Sequence, residues 1–368
     1  MRISKGSLFE LLIMKDGNRL IGVDALRMMS GLLIVVFHFS YCLRPQNSEL
    51  TVRTVRALAW VTPVFFLISG YLQGRNYERQ RYATRFAARI MRLLLPFCCW
   101  NLLFAFGYLF FSRISPALIN QWAGRNVYTV GWFLSKVFGF ATIPGDPVLW
   151  YVRELLLVIV ILPFIVWGLS GKAVRTICFI GSVLGLVVAL ESCSSSVEFS
   201  STVWVPSYSV VCIVLSVWLG LRRVDVESFC GRHYRFLIFL GVSAIVACVY
   251  KTFPYKDLIL TGGAFLWLGF LPLLRRLVRY EPFKSVSKLT FFIYAAHYAF
   301  IPVLGPLDRK LLALCPPCYH WIMYIVLTVL FSCVDIVLCL GLYDLIRRIS
   351  PSMASMLNGG GIKKTKEV

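Results

Sequence analysis

Charged residues are scarce in this sequence, and acidic residues are the scarcest of them. Only 15% of the 368 residues are charged, where about 25% is usual for a soluble domain, and only 17 are Asp or Glu. Hydrophobic residues make up 58% of the chain, and the mean hydropathy is +0.75. A soluble protein of this size cannot bury so much apolar surface, and a disordered chain would be poor in such residues. The composition therefore predicts a polytopic membrane protein.

The sequence also lacks the short motifs of common soluble enzymes. Neither a G-x-S-x-G nucleophile elbow nor a phosphate-binding loop occurs in it. Most of the 12 cysteines lie inside apolar runs, and Cys315 and Cys318 alone have the C-x-x-C spacing. Without a second such pair or a histidine pair nearby, we expect no metal site there, but a loop disulfide or two free thiols.

Ten apolar runs are long enough to predict transmembrane helices, each of which needs about 20 mostly apolar residues. Continuous runs favour helices over the alternating pattern of a transmembrane barrel. The predicted fold class is all-α, a polytopic membrane bundle of about ten helices. The predicted spans are 21–43, 57–73, 93–112, 148–168, 174–191, 203–221, 235–251, 257–274, 289–306 and 319–346. The long connection 113–147 is expected to hold an interfacial helix.

Basic residues are distributed unevenly between alternate connections. If both termini are cytoplasmic, the cytoplasmic segments hold 26 Lys and Arg residues and the opposite segments hold 10. Because this follows the positive-inside rule, the net charge of +21 indicates orientation and not a nucleic-acid partner. We expect a cytoplasmic segment 1–20, a membrane domain 21–346 and a cytoplasmic basic tail 347–368.

Two ionisable residues in the first predicted span are the sharpest functional candidates, since such groups are costly in a bilayer. Arg27 and His38 are eleven residues apart, so they share a helix face and lie roughly 16 Å apart along the axis. A cation at one depth and an imidazole at another would suit a reaction that spans the membrane. The plainer interpretation is that Arg27 reaches the inner interface and His38 makes an interhelical hydrogen bond.

Other polar or aromatic residues in the predicted spans are weaker candidates. They are Ser69, Trp150, Arg153, Glu154, Tyr294 and His297. Tyr294 and His297 are three residues apart and can face one groove. Each candidate also has a plainer role as a packing position, an interface anchor, an ion pair or an interhelical polar contact.

Three arginines precede the third predicted span at helical spacing. Arg85, Arg89 and Arg92 stand at i, i+4 and i+7, so they form one stripe. The stripe could simply reflect the positive-inside rule or contact lipid phosphates. Alternatively it could bind an anionic ligand, because Arg binds phosphate in a bidentate manner.

Five segments, in order along the chain, resemble the integral-membrane acyltransferases called the acyltransferase 3 family, which O-acylate carbohydrates. The segments are the Arg and His of 23–38, VFFLISGYL at 64–72, RIMRLLLP at 89–96, LWYVRELL at 149–156 and IYAAH at 293–297. Residues 170–285 carry no motif that matches the family.

This resemblance implies ten helices in a bacterial plasma membrane, among membrane lipids. It implies acyl-CoA, most often acetyl-CoA, as a cytoplasmic donor substrate, with no permanently bound cofactor. The acceptor would be a hydroxyl of a carbohydrate or lipid-linked glycan. Arg89 and Arg92, with Arg85, would hold the CoA phosphates.

The resemblance also suggests roles for the first span. His38 would act as a general base or as a transient acyl carrier, since a neutral imidazole can do either. Arg27, held by Asp24, would orient the donor or stabilise charge on the thioester oxygen. Two alternatives stay open: a non-enzymatic glycan transporter, flippase or exporter, and the same enzyme class using succinyl or another short acyl group.

The charge distribution generates a test of topology. Cysteine labelling or reporter fusions after Ser48, Ser195 and Arg309 should report the side opposite the termini. Cytoplasmic signals at two of these positions would contradict the ten-span arrangement.

Overall fold

The computed structural model describes residues 20–42, 58, 61–114, 129–139, 144–194, 207–249, 256–277 and 280–360. Within these ranges the chain is helical and contains no strand, as its composition predicts. The α-helices are α1 (Ile21–Cys42), α2 (Val61–Arg75), α3 (Arg79–Ile114), α4 (Val130–Phe138), α5 (Trp150–Leu169), α6 (Ala173–Ser194), α7 (Ser207–Leu221), α8 (Val226–Val249), α9 (Lys256–Leu277), α10 (Glu281–Ala296), α11 (Ile301–Ala313), α12 (His320–Ile349) and α13 (Pro351–Leu357). Short 3-10 turns lie at Pro147–Leu149, His297–Ala299 and Pro317–Tyr319.

A helix overlaps each of the ten predicted spans. Among the described residues, five stretches of helix could cross a membrane by length and composition, or six if α10 and α11 count as one bent span. The five lie within α1, α3, α5, α8 and α12. Helices α6 and α7 hold shorter apolar stretches, so the count of about ten crossings stays a prediction. Helix α4 lies in the long connection where the sequence predicts an interfacial helix.

The ninth predicted span is not one straight helix. Helix α10 ends at Ala296, α11 begins at Ile301, and the two parts are bent by 65°. Pro302 explains the break, because it has no amide proton and its ring crowds the carbonyl of Tyr298 four residues earlier. The break leaves His297 at the end of a helix, where its side chain is completely buried.

Helix α1 is central to the bundle. Helices α2, α9, α10 and α12 pack around it. The carboxylate of Glu227, at the start of α8, accepts a hydrogen bond from the Gly22 amide at 2.7 Å and pairs with Arg275 at 3.4 Å. An anionic group is favourable at a helix N-terminus. Glu227 therefore holds the start of α1 beside the start of α8 and the end of α9.

Several arginines gather at the end of the bundle where α1 begins. We call this the basic end, and it carries Arg75, Arg89, Arg92, Arg175, Arg222 and Arg275. Tyr71 on α2 donates a hydrogen bond to the Val224 carbonyl after α7 at 2.9 Å, and Arg75 donates to the Tyr71 hydroxyl at 2.9 Å. These contacts hold α2 and α7 together there. The charge distribution predicts that this end is cytoplasmic.

The C-terminal segment 350–360 folds back onto the bundle. Helix α13 buries Leu357, and Trp100 on α3 donates to the Leu357 carbonyl at 3.0 Å. The Asn358 side chain accepts from the Phe292 amide at 3.1 Å and donates to the Lys288 carbonyl at 2.8 Å. In a regular helix the Phe292 amide would donate to the Lys288 carbonyl four residues earlier, and here the Asn358 side chain bridges these two groups. This part of the predicted tail is packed on α3 and α10, and residues 361–368 lie outside the described ranges.

The docking of the tail generates a stability prediction. Trp100→Phe should cost about 1–3 kcal/mol, because the buried Leu357 carbonyl would lose its donor. The apparent melting temperature of the purified protein measures this cost. Trp321→Phe is the control, since Trp321 is 56% exposed. Equal and small shifts in the two variants would show that the tail does not depend on this hydrogen bond.

Candidate active site

Two imidazoles from distant parts of the chain meet inside the bundle. His38 comes from α1, and His297 comes from the break between α10 and α11. His297 Nε2 lies 3.2 Å from His38 Nδ1, and the ring centroids are 5.1 Å apart. His297 is completely buried, whereas His38 is partly exposed. The sequence pattern gives no link between the two residues, and the fold brings them into contact.

Backbone carbonyls determine which ring nitrogens carry protons. His38 Nδ1 lies 2.9 Å from the Ile34 carbonyl, and His297 Nδ1 lies 2.8 Å from the Tyr294 carbonyl. A carbonyl oxygen can only accept, so we infer a proton on each Nδ1 atom. His297 Nε2 is then an acceptor that shares the Nδ1 proton of His38 with Ile34. The lone pair of neutral His38 therefore lies on Nε2, to which no described residue is hydrogen-bonded.

Aromatic rings flank the partly exposed imidazole of His38. Phe37 and Tyr298 both approach His38 edge-on, with centroid distances of 5.2 and 5.7 Å. These contacts restrict the orientation of the His38 ring. No feature of the sequence distinguishes Tyr298 from other aromatic residues, although it directly follows His297 in the chain.

Tyr294 anchors the segment before α5 next to the imidazole pair. Its hydroxyl donates to the Val148 carbonyl, and its ring centroid is 6.3 Å from that of His297. Asp146 is completely buried beneath the same segment and accepts from the Val148 amide at 3.2 Å. Burial raises the pKa of Asp146 well above its usual range. In the sequence, Asp146 is marked by its position alone: it is followed by Pro147 and an apolar run, and this pattern is typical of the start of a helix.

A pair of hydroxyls joins α2 to α5. The oxygens of Ser69 and Tyr151 are 2.5 Å apart, and Tyr151 donates to the Phe65 carbonyl at 3.1 Å. Because the Tyr151 proton points to a carbonyl, Ser69 is the donor to Tyr151. Trp150 packs on Phe66 at the same junction, with a centroid distance of 6.1 Å. The geometry favours a packing role for Ser69 and Trp150.

Arg27 lies on the face of α1 that His38 shares, roughly 16 Å away along the axis. Asp24 is 3.5 Å from the Arg27 guanidinium, so the predicted contact between them is present. The Arg27 side chain is 47% exposed.

Arg153 and Glu154 pair with each other, although they are neighbours in the sequence. The guanidinium of Arg153 donates to the Glu154 carboxylate at 3.0 Å and to the Gly139 carbonyl at 3.1 Å. Gly139 ends α4 in the left-handed conformation, with φ of 64°. Arg153 therefore ties α5 to the end of α4 while it neutralises a carboxylate that is only 2% exposed.

The predicted arginine stripe is only partly described. The Arg89 guanidinium lies 5.2 Å over the ring of Tyr82 and donates to the Asn76 carbonyl at 3.4 Å. Its Nη1 atom is buried without a hydrogen-bond partner. Arg92 is exposed, and the side chain of Arg85 lies outside the described residues. Arg89 thus holds a spare donor at the basic end.

Metal ligands are not grouped in the described part of the chain. Among these residues, no set of three or more His, Cys, Asp or Glu side chains could hold a metal ion. Cys315 and Cys318 are both free thiols. The sequence allowed either a loop disulfide or two free thiols for this pair, and the structure has two free thiols.

A family model described as an acyltransferase domain matches residues 20–343. The chain belongs to the acyltransferase 3 family. The match runs from the start of α1 into α12 and includes both imidazoles. The protein is therefore a membrane acyltransferase. Comparisons with curated proteins and with solved structures find no match.

The ion pair of this acyltransferase generates a prediction. Arg153→Leu should destabilise the protein by about 3–5 kcal/mol, because it leaves a buried carboxylate uncompensated. Arg153→Leu combined with Glu154→Leu should recover much of that loss. The control is Arg348→Leu, since Arg348 is 77% exposed and pairs at the surface with Asp344. Unchanged stability with lost activity in Arg153→Leu would instead indicate a role in the reaction.

Proposed function

We propose that this acyltransferase moves a short acyl group, acetyl above all, from cytoplasmic acyl-CoA to a hydroxyl of a cell-envelope carbohydrate in a bacterial plasma membrane. One observation carries the proposal. His38 Nδ1 lies within hydrogen-bond distance of the Ile34 carbonyl and of His297 Nε2, and the proton that we infer on Nδ1 leaves the Nε2 lone pair open. A base oriented in this way suits removal of a proton from an alcohol.

In the proposed reaction, His38 Nε2 takes the proton of the acceptor hydroxyl while the hydroxyl oxygen attacks the thioester carbon. The resulting imidazolium is stabilised because its Nδ1–H donates to His297 and to the Ile34 carbonyl. When the carbon–sulfur bond breaks, the CoA thiolate takes the proton from His38 Nε2. The products are an ester and a free thiol, and His38 is neutral again. His297 acts as a positioning residue in this scheme.

The other proposed roles lie toward the basic end. Arg27, held by Asp24, would donate hydrogen bonds to the donor or to its thioester oxygen as charge develops. Arg89 and Arg92 would bind CoA phosphates, and the spare Nη1 donor of Arg89 supports this role. Because Arg27 and His38 are roughly 16 Å apart along α1, the pantetheine arm would have to run along this helix toward the imidazole pair.

The same lone pair permits a second role for His38. Nε2 could attack the thioester itself, release CoA and carry the acyl group before a sugar hydroxyl accepts it. Labelled acetyl-CoA without acceptor distinguishes the two roles, because only a carrier would retain label on His38. Succinyl or another short acyl group would fit either scheme. Family membership disfavours the alternative of a non-enzymatic transporter, flippase or exporter.

His38→Ala should lower acylation by about 10²–10⁴-fold, the loss expected when a positioned general base is removed. The protein should still accumulate in membranes, because the change removes a polar group from an apolar bundle. His297→Ala should lower the rate less, since it removes only the orienting acceptor. The measurement is the ester content of the envelope glycan for each variant at matched protein levels.

His233→Ala is the matched control, because His233 is an exposed imidazole on α8. We expect it to retain the activity of the unchanged protein. If His38→Ala kept more than about a tenth of normal activity, the catalytic assignment would be wrong. The loss would then be less than tenfold, whereas removal of a general base costs at least about 10²-fold.

A further inference from the structure

A groove of about 800 Å³ opens at the basic end. It lies between the turn after α2, the end of α5, the start of α6 and the end of α7. Tyr77, Trp167, Arg175 and Leu221 are among the residues that line it. Its volume is in the range of small-molecule sites, about 300–1,000 Å³. None of these residues has a role in the proposed proton transfer.

Arg175 is held in a fixed orientation in this groove. Its guanidinium carbon lies 4.9 Å from the centre of the Trp167 ring. Gly171 makes this position possible, because a Cβ there would come within 1.9 Å of Arg175 Nε. Within the part of the chain that the structure describes, Arg175 forms no ion pair. An uncompensated guanidinium stacked on an aromatic ring is well suited to bind phosphate.

Tyr77 connects this groove to the arginine stripe. Its ring centroid lies 5.2 Å from that of Tyr82, and Arg89 stacks on Tyr82 at 5.2 Å. Arg89 Nη1 is a buried donor without a partner. Arg175 thus stacks on Trp167, which lines the groove, and Arg89 stacks on Tyr82, the ring next to Tyr77. Such a surface matches a ligand that combines a planar base with more than one phosphate.

We propose that the groove binds the adenine nucleotide end of acyl-CoA. The purine would lie against Trp167 and Tyr77, and the 3′-phosphate would bind Arg175. The diphosphate would extend past Tyr77 toward Arg89. This inference rests on the proposed function, because it locates the donor of that reaction. A phospholipid headgroup offers a phosphate but no planar base, so the aromatic pair favours the nucleotide.

The test compares a complete donor with a truncated one. Arg175→Gln and Trp167→Ala should each raise the KM for acetyl-CoA about tenfold, because each removes a charge-assisted or stacking contact. The kcat should change little, since the reacting groups are untouched. With S-acetylpantetheine, which lacks the nucleotide, each variant should have the same KM as the unchanged protein. Acetyl-dephospho-CoA, which lacks the 3′-phosphate, should weaken the effect of Arg175→Gln.

Two matched variants serve as controls. Trp321→Ala removes a tryptophan that is 56% exposed, against 58% for Trp167, and Arg348→Gln removes a surface arginine. Neither should change the KM for acetyl-CoA. The assays are run in nanodiscs of phosphatidylcholine, with and without phosphatidylglycerol, to separate nucleotide binding from lipid binding.

The outcomes separate this inference from the proposed function. If the unchanged protein turns over no acetyl-CoA, the proposed function fails. If it does, an unchanged KM in both groove variants overturns the nucleotide site. An equal rise in KM for acetyl-CoA and S-acetylpantetheine also overturns it, because the effect would not depend on the nucleotide. An effect that needs phosphatidylglycerol would assign the groove to a lipid headgroup and overturn the proposal as well.

Discussion

Polar groups inside an apolar bundle are costly unless they find hydrogen-bond partners there, because lipid offers them none. The architecture around the imidazoles follows from that constraint. Tyr151 and Ser69 join α5 to α2, and Tyr294 joins α10 to the segment before α5. His38 and His297 complete the set by joining α1 to the end of α10. The hydrogen bonds that hold the helices together thus also orient the proposed base.

The helix break at His297 has a functional consequence. Within a continuous helix, the side chain would project from a regular face, and the next turn would continue past it. Here the helix ends, the chain bends by 65°, and the imidazole reaches α1. The tail reinforces α10 one turn earlier, where Asn358 bridges Lys288 and Phe292. Both features restrict the position of His297, which in turn restricts the ring of His38.

The two proposed chemical tasks lie at different depths of the bundle. Proton transfer belongs to the imidazole pair, where aromatic rings shield His38. Anion binding belongs to the basic end, where Arg89 and Arg175 lie on aromatic rings and the Nη1 donor of Arg89 has no hydrogen-bond partner. Arg27 lies between them on the helix that also carries His38. An extended donor that enters at the basic end would contact both regions, which is the arrangement that the proposed reaction needs.

Local features of the sequence were enough for the membrane class, the approximate positions of the predicted apolar helices and the contact between Asp24 and Arg27. Composition, the length of apolar runs and a spacing of three residues act over short stretches of chain, so no fold is needed to interpret them. The sequence also shows that His38 and His297 are ionisable residues within apolar runs. Their contact was not, because it joins residues 259 positions apart. That contact, the link from Ser69 to Tyr151 and the docking of the tail depend on how helices pack. Helix packing is set by side-chain shape over the whole bundle, and only the tertiary structure could decide it.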